Sequence, residues 1–238
     1  MKITVKIPSI LTSIPTFYIL TQMKGVKGIL LMAGQGARFG QPLPKQFHLL
    51  QGTQVYLLAL EQLIESELFE EIILVTNEKQ ADSVQKEVGN TARVVIGGQT
   101  RQESSYRGLL ACSSDTEIVL IHDGVRPFVS KRILQDNIRI ARKHGSANTC
   151  IPSSDTIVYA PTQTKVQSIP PRSHYMRGQT PQTFSYPLIL KAHQQTTKTN
   201  ATDDCQLLLE MGHEITIVNG EEENRKITVP QDLLHTPS

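Results

Sequence analysis

The sequence has little of what marks secreted, disulfide-stabilised or membrane-spanning proteins. Its three cysteines, Cys112, Cys150 and Cys205, are far apart and odd in number, so they provide neither a disulfide framework nor a C-x-x-C metal site. No apolar run reaches the roughly 18 uninterrupted residues of a membrane span. We therefore expect reduced thiols in a cytoplasmic protein without a membrane partner.

The sequence also lacks a large excess of charge of one sign. It has 24 lysines and arginines against 22 acidic residues, for a net charge of +2. Proteins dedicated to nucleic acids usually carry a larger and clustered basic excess. We expect no nucleic-acid partner, and an anionic ligand should bind at a local site. The length of 238 residues, 39% of them hydrophobic, suits one large α/β domain.

The first 24 residues do not fit the pattern of the rest. They are apolar and mildly basic, but Pro8 and Pro15 interrupt the apolar stretch and no small-x-small cleavage site follows, which disfavours a signal peptide. We interpret residues 1–24 as a disordered or dispensable extension, or as the product of a start codon assigned too far upstream. Residues 25–238 are expected to form a single domain.

From Val26 onward, short apolar runs typical of strands alternate with segments of helical periodicity. The predicted strands are Gly28–Met32, Glu71–Thr76, Ala92–Ile96, Glu117–His122, Ala147–Ile151 and Glu214–Val218. The predicted helices are Gln54–Ser66, Lys79–Val88, Gln102–Ala111, Ser130–Lys143, Leu188–Gln194 and Asp203–Met211, with Ser130 as an N-cap. This alternation predicts a mostly parallel, Rossmann-like sheet with helices on both faces. Ligands bind such sheets beyond the carboxyl ends of the strands.

The alternation stops after Ser154. Two short β-type runs around a polar turn, followed by Pro170-Pro171, predict a β-hairpin arm over about residues 155–172. An isolated two-stranded hairpin is marginal in water. We therefore expect a second copy of the arm to cover it in a two-fold homodimer.

A glycine-rich loop, MAGQGARFG, follows the first predicted strand. It does not match the dinucleotide fingerprint, which needs glycine where this chain has Phe39, nor the P-loop motif, which needs G-K-[ST]. Its glycines can still bring backbone N–H groups close to phosphate. Arg38 and Lys45 would suit a triphosphate; the alternative is a glycine turn beside two surface cations.

Polar residues also follow later predicted strands. Asp123 is well placed to hold Mg²⁺ near phosphates, and Arg126 could bind phosphate through two hydrogen bonds. The alternative is a helix cap and a surface arginine. Ser104 follows Gly97-Gly98, whose small size would admit a flat base, although capping a helix is its default role. We interpret His122 as a packed strand residue.

Six ordered motifs together resemble the 2-C-methyl-D-erythritol 4-phosphate cytidylyltransferase family. They are MAGQGARFG with Pro44-Lys45-Gln46, GGxxRxxS, HDGVRPF, GQTPQTF, ATDD and NRKIT, and the resemblance covers nearly all of Gly25 to Leu234. It implies a nucleotidyltransferase fold and a homodimer locked by the arm. It also implies transfer of CMP from CTP, with Mg²⁺, to a small sugar-alcohol phosphate in non-mevalonate isoprenoid precursor synthesis.

The resemblance further implies roles for residues at matching positions. The catalytic cations that hold the triphosphate and stabilise the α-phosphorus would be Arg38, Lys45 and Lys226. The nucleotide would contact Ala33, Gly34, Gly36, Gly98, Gln99, Ser104 and Asp123, with Asp123 also at the metal. The acceptor would contact Arg126, Thr156, Arg172, Thr180 and Thr202, with Arg172 reaching the partner subunit's site and the pair Asp203-Asp204 completing the pocket.

Three other functions have to be weighed against this one. The same reaction on ribitol 5-phosphate is the nearest alternative, because that sister family shares the segments resembling PLPKQF, HDxVRPF and GQTPQTF. A non-catalytic nucleotide-sensing module on the same fold is disfavoured, because sensing needs neither Lys45 nor Lys226 at the reacting phosphorus. A Rossmann oxidoreductase is excluded by Arg38 and Phe39 in the glycine loop.

Overall fold

The computed structural model describes residues 24–34, 36 and 39–234. The strands are β1 (Val26–Leu31), β2 (Leu49–Leu50), β3 (Thr53–Gln54), β4 (Glu71–Thr76), β5 (Arg93–Ile96), β6 (Ile118–Asp123), β7 (Ser146–Pro152), β8 (Met176–Ser185) and β9 (Thr216–Asn219). The α-helices are α1 (Val55–Ser66), α2 (Glu78–Val88), α3 (Arg101–Leu110), α4 (Lys131–His144), α5 (Tyr186–Gln195) and α6 (Cys205–Glu210). Short 3₁₀ turns occupy Lys45–Phe47, Arg172–His174 and Pro230–Leu234. Apart from Lys24, the predicted N-terminal extension lies outside the described residues.

Seven of these strands form one sheet in the order β5-β4-β1-β6-β8-β7-β9. All neighbouring pairs are parallel except those of β8, which runs antiparallel to β6 and β7. Every residue of the central strands β1 and β6 is buried, as expected where helices cover both faces. The predicted mostly parallel sheet is confirmed. The edge at which all strands but β8 end is called the carboxyl edge below.

Apolar side chains pack on the two faces of the sheet as separate clusters. On one face, Leu30 of β1 packs with residues of α1, α2 and α4 such as Leu60 and Ile133. On the other, Ile29 packs with residues of α3, α5 and α6 such as Leu109 and Ile189. Successive residues of β1 therefore serve opposite layers, as the period of two in a strand requires.

Three helices begin at side chains that accept a backbone N–H. Asn77 accepts from Gln80 at the start of α2, Thr100 accepts from Glu103 at the start of α3, and Ser130 accepts from Ile133 at the start of α4. Such caps satisfy amides that have no partner within the helix. The predicted cap at Ser130 is confirmed.

Strand β8 was not predicted, although it lies inside the sheet. Its sequence contains Gly178 and Pro181, and proline is confined to edges and bulges of sheets because it cannot donate a ladder hydrogen bond. The structure accommodates Pro181 where the pairing of β7 with β8 shifts register, between Asn148 and Cys150. There the Thr149 hydroxyl donates to the Pro181 carbonyl at 2.7 Å.

The predicted β-hairpin arm is not confirmed as a pair of strands. Residues 155–172 contain one antiparallel bridge, between Tyr159 and Ser168, and are otherwise mainly irregular, with turns and bends around residues 161–165. The segment leaves β7 and returns into β8 at the carboxyl edge, because Pro152 and Met176 are register partners. Several of its apolar side chains are exposed: Val158, Tyr159, Val166 and Ile169. Within the described residues, no helix has both the length and the apolar character needed to cross a bilayer.

Candidate active site

The carboxyl edge gathers charged residues around Asp123, the last residue of β6. The Lys226 ammonium donates to Asp123 Oδ2 at 2.7 Å, while Arg126 Nε lies 3.8 Å from Oδ2 and Arg101 Nε lies 3.9 Å from Oδ1. Burial alone would raise the pKa of the Asp123 carboxyl, but Lys226, Arg101 and Arg126 overcome it and hold that pKa well below its usual range. Asp123 is therefore ionised at neutral pH.

Arg101 lies between the Asp123 carboxylate and a second carboxylate, that of Asp204. Its Nη1 donates to Asp204 Oδ2 at 2.6 Å, and the other oxygen of Asp204 lies 3.0 Å from His193 Nε2. Burial opposes ionisation of Asp204, yet Arg101 and His193 lower its pKa to about 2. The sequence resemblance put Asp204 in the pocket and gave Arg101 no role. The structure buries Asp204 as a support for Arg101; the GGxxRxxS motif was the signal that could have identified the arginine.

Lys45 and Lys226 reach the same place from loops far apart in sequence. Lys45 Nζ donates to the Ile227 carbonyl at 2.8 Å, next to Lys226. The backbone N–H of Ile227 donates to the Val125 carbonyl at 2.8 Å. Ile227, Val125 and Phe39 belong to one small buried apolar cluster. This cluster fixes the loops after β1, β6 and β9 relative to one another.

The glycine loop after β1 is held by a side chain that sequence reasoning left without a role. The buried Gln46 amide donates to the carbonyls of Met32 and Gly34, at 2.6 and 2.9 Å. Gly36 has a φ of +68°, which favours glycine, and a Cβ there would come within 3.4 Å of Lys45 Cγ. The loop thus keeps Lys45 beside Gly36, while Gln46 is bonded to Gly34. Ala33 precedes them just after the end of β1, and Arg38 lies outside the described residues.

The loop after β5 is tightly constrained by α3. Ser104 lies within the first turn of that helix rather than at its cap, which is Thr100. Its hydroxyl accepts from the Gly98 N–H at 3.1 Å, and the Glu103 carboxylate accepts from the Gln99 N–H at 2.8 Å. The default interpretation of Ser104 as a helix cap is therefore wrong. Its observed contact shapes the loop that was predicted to face the base.

His122 is fully buried, so the prediction of a packed strand residue is confirmed. Its Nε2 lies 3.0 Å from the Arg126 carbonyl, and its Nδ1 lies 3.0 Å from the Thr180 hydroxyl oxygen. That oxygen also accepts from the Asp123 N–H at 3.0 Å. Burial lowers the pKa of His122 to about 4, so the ring is neutral at physiological pH.

Three predicted acceptor residues lie apart from the contacts that join Lys45, Asp123 and Lys226. Thr156 is an exposed residue of the segment after β7. Arg172 is exposed and donates to the Ser154 carbonyl at 2.9 Å. Thr202 is exposed and accepts from the Gln206 amide at 3.4 Å. Arg126, in contrast, lies in the cluster, where its Nη1 donates to the Asn224 carbonyl at 2.7 Å.

The ionised carboxylate of Asp123 faces the cationic groups at this edge and suits a hard divalent cation. Mg²⁺ is usually held by one or two carboxylates together with substrate phosphates. In the described part of the chain, no group of three or more histidine, cysteine or acidic side chains is arranged to hold a metal ion. The site as a whole offers anchored cations and one carboxylate, an arrangement suited to a metal-bound polyphosphate.

Comparison with known proteins connects this geometry to one family. The family model for 2-C-methyl-D-erythritol 4-phosphate cytidylyltransferase matches residues 26–237. An enzyme of that name from Alkaliphilus oremlandii is 36% identical, over 87% of this chain and 91% of its own length. One from Clostridioides difficile is 35% identical, over 86% of this chain and 89% of its own length.

Solved structures agree with the sequence comparisons. A 4-diphosphocytidyl-2C-methyl-D-erythritol synthase from Anaerococcus prevotii superimposes with a TM-score of 0.77 at 30% identity, over 88% of this chain and 94% of that one. A 2-C-methyl-D-erythritol 4-phosphate cytidylyltransferase from Thermus thermophilus superimposes with a TM-score of 0.73 at 29% identity, over 87% and 94%. The matches extend over almost the whole described fold, including the loops that carry Lys45, Asp123 and Lys226, and the chain belongs to the 2-C-methyl-D-erythritol 4-phosphate cytidylyltransferase family.

Proposed function

We propose that this protein transfers CMP from CTP to 2-C-methyl-D-erythritol 4-phosphate and releases pyrophosphate, a step of non-mevalonate isoprenoid precursor synthesis. The observation that carries the proposal is that Lys45 is anchored beside Lys226, which pairs with Asp123, in a chain of this family. Lys45 is bonded to the backbone of Ile227, and Lys226 to the Asp123 carboxylate.

The reaction needs cations more than it needs a base. An oxygen of the acceptor's phosphate attacks the α-phosphorus of CTP, a new P–O bond forms, and the bond to the bridging oxygen breaks so that pyrophosphate leaves. The attacking oxygen is already anionic and needs no proton removed. Two anions must nevertheless meet in line, so we assign Arg38, Lys45 and Lys226 to hold the triphosphate and stabilise the charge that develops around the α-phosphorus.

The nucleotide lies, in this proposal, across the two glycine loops. Ala33, Gly34 and Gly36 offer backbone groups to the phosphates beside Lys45. The N–H groups of Gly98 and Gln99 are already bonded to side chains of α3. We assign the carbonyl oxygens of the loop after β5 to accept from an exocyclic amine such as that of cytosine. Those of Gly97 and Gly98 already accept from Arg107 and Ser104, at 3.0 and 3.4 Å, but a carbonyl oxygen has a second lone pair. The Ser104 hydroxyl supports that loop by accepting from the Gly98 N–H.

Asp123 is the residue we assign to hold Mg²⁺. When bound, the metal neutralises charge on the triphosphate. Asp123 and Lys226 are paired at 2.7 Å. A metal-bound triphosphate offers a new partner to each of them, because the carboxylate can turn to the cation and the ammonium to a phosphate. Neither charge is then left without a partner in the buried site.

The acceptor is assigned to Arg126 and Thr180 in the cluster and to the exposed residues Thr156, Arg172 and Thr202. Exposed apolar side chains on residues 155–172 favour a homodimer in which this segment packs against a second copy. Arg172 then contributes to the site of the partner subunit. The three cysteines are buried free thiols, in keeping with the cytoplasmic location that we include in the proposal.

The function is tested by incubating the purified chain with CTP and Mg²⁺ and with each acceptor separately, followed by mass detection of the product. We expect the CDP-alcohol of 2-C-methyl-D-erythritol and stoichiometric pyrophosphate. Turnover of ribitol 5-phosphate alone would overturn the assigned acceptor. No product with either acceptor, from protein of wild-type melting temperature, would overturn the proposed reaction.

The shared site is tested by mixing an Arg172→Ala chain with a Lys45→Ala chain. In a mixed dimer with shared sites, one site carries both defects and the other carries none, so activity should reappear on subunit exchange. Exchange is verified independently by native mass measurement. If exchange occurs and the two inactive parents stay inactive, Arg172 acts in its own subunit or outside the site.

A further inference from the structure

Arg101 contacts two buried carboxylates that belong to distant parts of the chain. Its Nη1 donates to Asp204 Oδ2 at 2.6 Å, and its Nε lies 3.9 Å from Asp123 Oδ1. The first contact is a charge-assisted hydrogen bond, whereas the second is too long for a hydrogen bond and acts through charge alone. Because the guanidinium is planar, a bond at one nitrogen also fixes where the others point. Arg101 therefore presents a fixed positive charge to Asp123.

Asp204, to which Arg101 is bonded, is held by several elements of the fold. Its side chain is 1% exposed. Its N–H donates to Gln182 Oε1 of β8 at 3.2 Å, and its second carboxylate oxygen lies 3.0 Å from His193 Nε2 of α5. The His193 ring stacks on Tyr106 of α3, with the ring centroids 5.5 Å apart and the planes 6° apart. The core of the fold, rather than a ligand, thus sets the position of the guanidinium.

The next residue of α3 holds the loop that leads to Asp204. The Gln102 amide donates to the Lys198 carbonyl at 2.7 Å and accepts from the Ala201 N–H at 2.8 Å. Gln102 therefore fastens this loop to α3 without the help of Arg101. The charge of Arg101 needs a further explanation, and its second contact, with Asp123, provides one.

The two oxygens of the Asp123 carboxylate face different cations. Lys226 and Arg126 approach Oδ2, at 2.7 and 3.8 Å, while Arg101 approaches Oδ1 at 3.9 Å. Attraction from both sides opposes rotation of the carboxylate. In the proposed function Lys226 turns to a phosphate when substrate binds, whereas Arg101 stays bonded to Asp204. Arg101 is thus the cation whose position does not change during the reaction.

We propose that Arg101 is a positioning residue of the cytidylyl transfer, which keeps the Asp123 carboxylate in its ligand-binding orientation while Asp204 holds Arg101 in place. The effect of Arg101 on the rate rests on the proposed function. Its effect on the orientation of Asp123 does not, because that orientation is a property of the folded chain.

The variants must separate positioning from stability. Arg101→Met alone leaves the buried Asp204 carboxylate without its cation and should lower Tm strongly. The double variant Arg101→Met/Asp204→Asn removes both charges and keeps an oxygen beside His193, so its Tm should return close to that of the wild type. Its kcat should nevertheless stay about 10- to 100-fold low, as for other partners that orient metal-binding groups. Recovery of kcat together with Tm would overturn the proposal, because the pair would then only support the fold.

The matched control is Lys27→Met, measured like the other variants well below its Tm. Lys27 is a cation with a 7% exposed side chain near the start of β1, at the opposite end of the sheet, and it lies 3.5 and 3.6 Å from Glu70 and Glu71. Its replacement should lower Tm and leave kcat unchanged. An equal loss of kcat in Lys27→Met would attribute the loss to stability and overturn the proposal.

Crystal structures of the wild type and the double variant separate this inference from the proposed reaction. The plane of the Asp123 carboxylate should be rotated in the variant relative to the wild type, in which Lys226 contacts Oδ2 at 2.7 Å. An unchanged orientation of Asp123 in the variant would overturn the proposal whatever the kinetics. A wild type without activity would count against the proposed reaction, and the rotation of Asp123 would still be expected.

Discussion

Replacing Lys226 by alanine should separate catalysis from stability. Lys226 is one of three cations around the Asp123 carboxylate, and its side chain is 35% exposed. After its removal Asp123 still has Arg126 and Arg101 at 3.8 and 3.9 Å. The loss in unfolding free energy should therefore be about 1 kcal/mol, well below the roughly 3–5 kcal/mol of a buried charge left unpaired.

The expected kinetic cost of the same substitution is much larger. Loss of one preorganised charge contact to a transition state costs about 3–4 kcal/mol, which is a hundredfold or more in kcat. A stability loss of about 1 kcal/mol lowers Tm by only about 2–4 °C in a protein of this size. Steady-state kcat from pyrophosphate release and Tm from thermal unfolding measure the two effects on one preparation.

The chain provides a matched control for this experiment in Lys198. Its ammonium is paired with Glu210 at 2.5 Å and its side chain is 42% exposed, but it lies on the loop after α5 rather than among the catalytic cations. Lys198→Ala should leave kcat unchanged at a similar cost in Tm. A Lys226→Ala protein with near-wild-type kcat would refute the assignment of Lys226 to the reacting phosphate. A fall in Tm much larger than about 2–4 °C would refute the stability reasoning.

Three further predictions address the supports of the site. Gln46→Ala should cost about 1–3 kcal/mol and raise the KM for CTP, because it leaves two carbonyls of the glycine loop without their donor; urea unfolding and initial rates measure both, and an unchanged KM would contradict it. Gly97→Ala puts a Cβ 2.7 Å from that of Ala33 and should lower Tm by several degrees, whereas Gly178→Ala, with open space around it, should not. The folded pKa of Asp204, about 2, is below the usual value of about 3.9, so its stabilisation is present above about pH 4 and is lost as the pH falls towards 2. Asp204→Asn should therefore weaken the dependence of the urea midpoint on pH between pH 5 and pH 2. The same dependence on pH in the variant and the wild type would contradict this.

The layers of the fold were predictable because they depend on local patterns. Strands β1, β4 and β6 each contain a continuous apolar run, Ile29–Leu31, Ile72–Val75 and Ile118–Ile121, and the helical segments show a clear apolar face. β8 was missed because its identity depends on its neighbours. Gly178 and Pro181 weaken a strand pattern in isolation, and only the register shift in β7 makes room for the proline. The arm is not confirmed as a pair of strands, because a short apolar pattern does not establish a ladder beyond the single bridge between Tyr159 and Ser168.

The candidate site was predictable to the extent that its residues lie in motifs. Lys45, Asp123 and Lys226 were identified from their motifs, and the structure brings them together. Arg101 and Gln46 were not, since their importance comes from partners distant in the chain, Asp204 and the backbone of the glycine loop.

The reversed direction of β8 decides which side of the molecule receives residues 153–175. Had β8 run parallel to β7, the chain would have needed a crossover to the opposite end of the sheet before entering it. Instead the excursion begins at Pro152 and ends at Met176, which are paired across the ladder. Its two ends are fixed by this pairing, and in the described structure its middle pairs with no strand of the sheet. Insertions and deletions there should therefore cost little in loop entropy. Chimaeras that exchange this segment alone should therefore keep the same sheet.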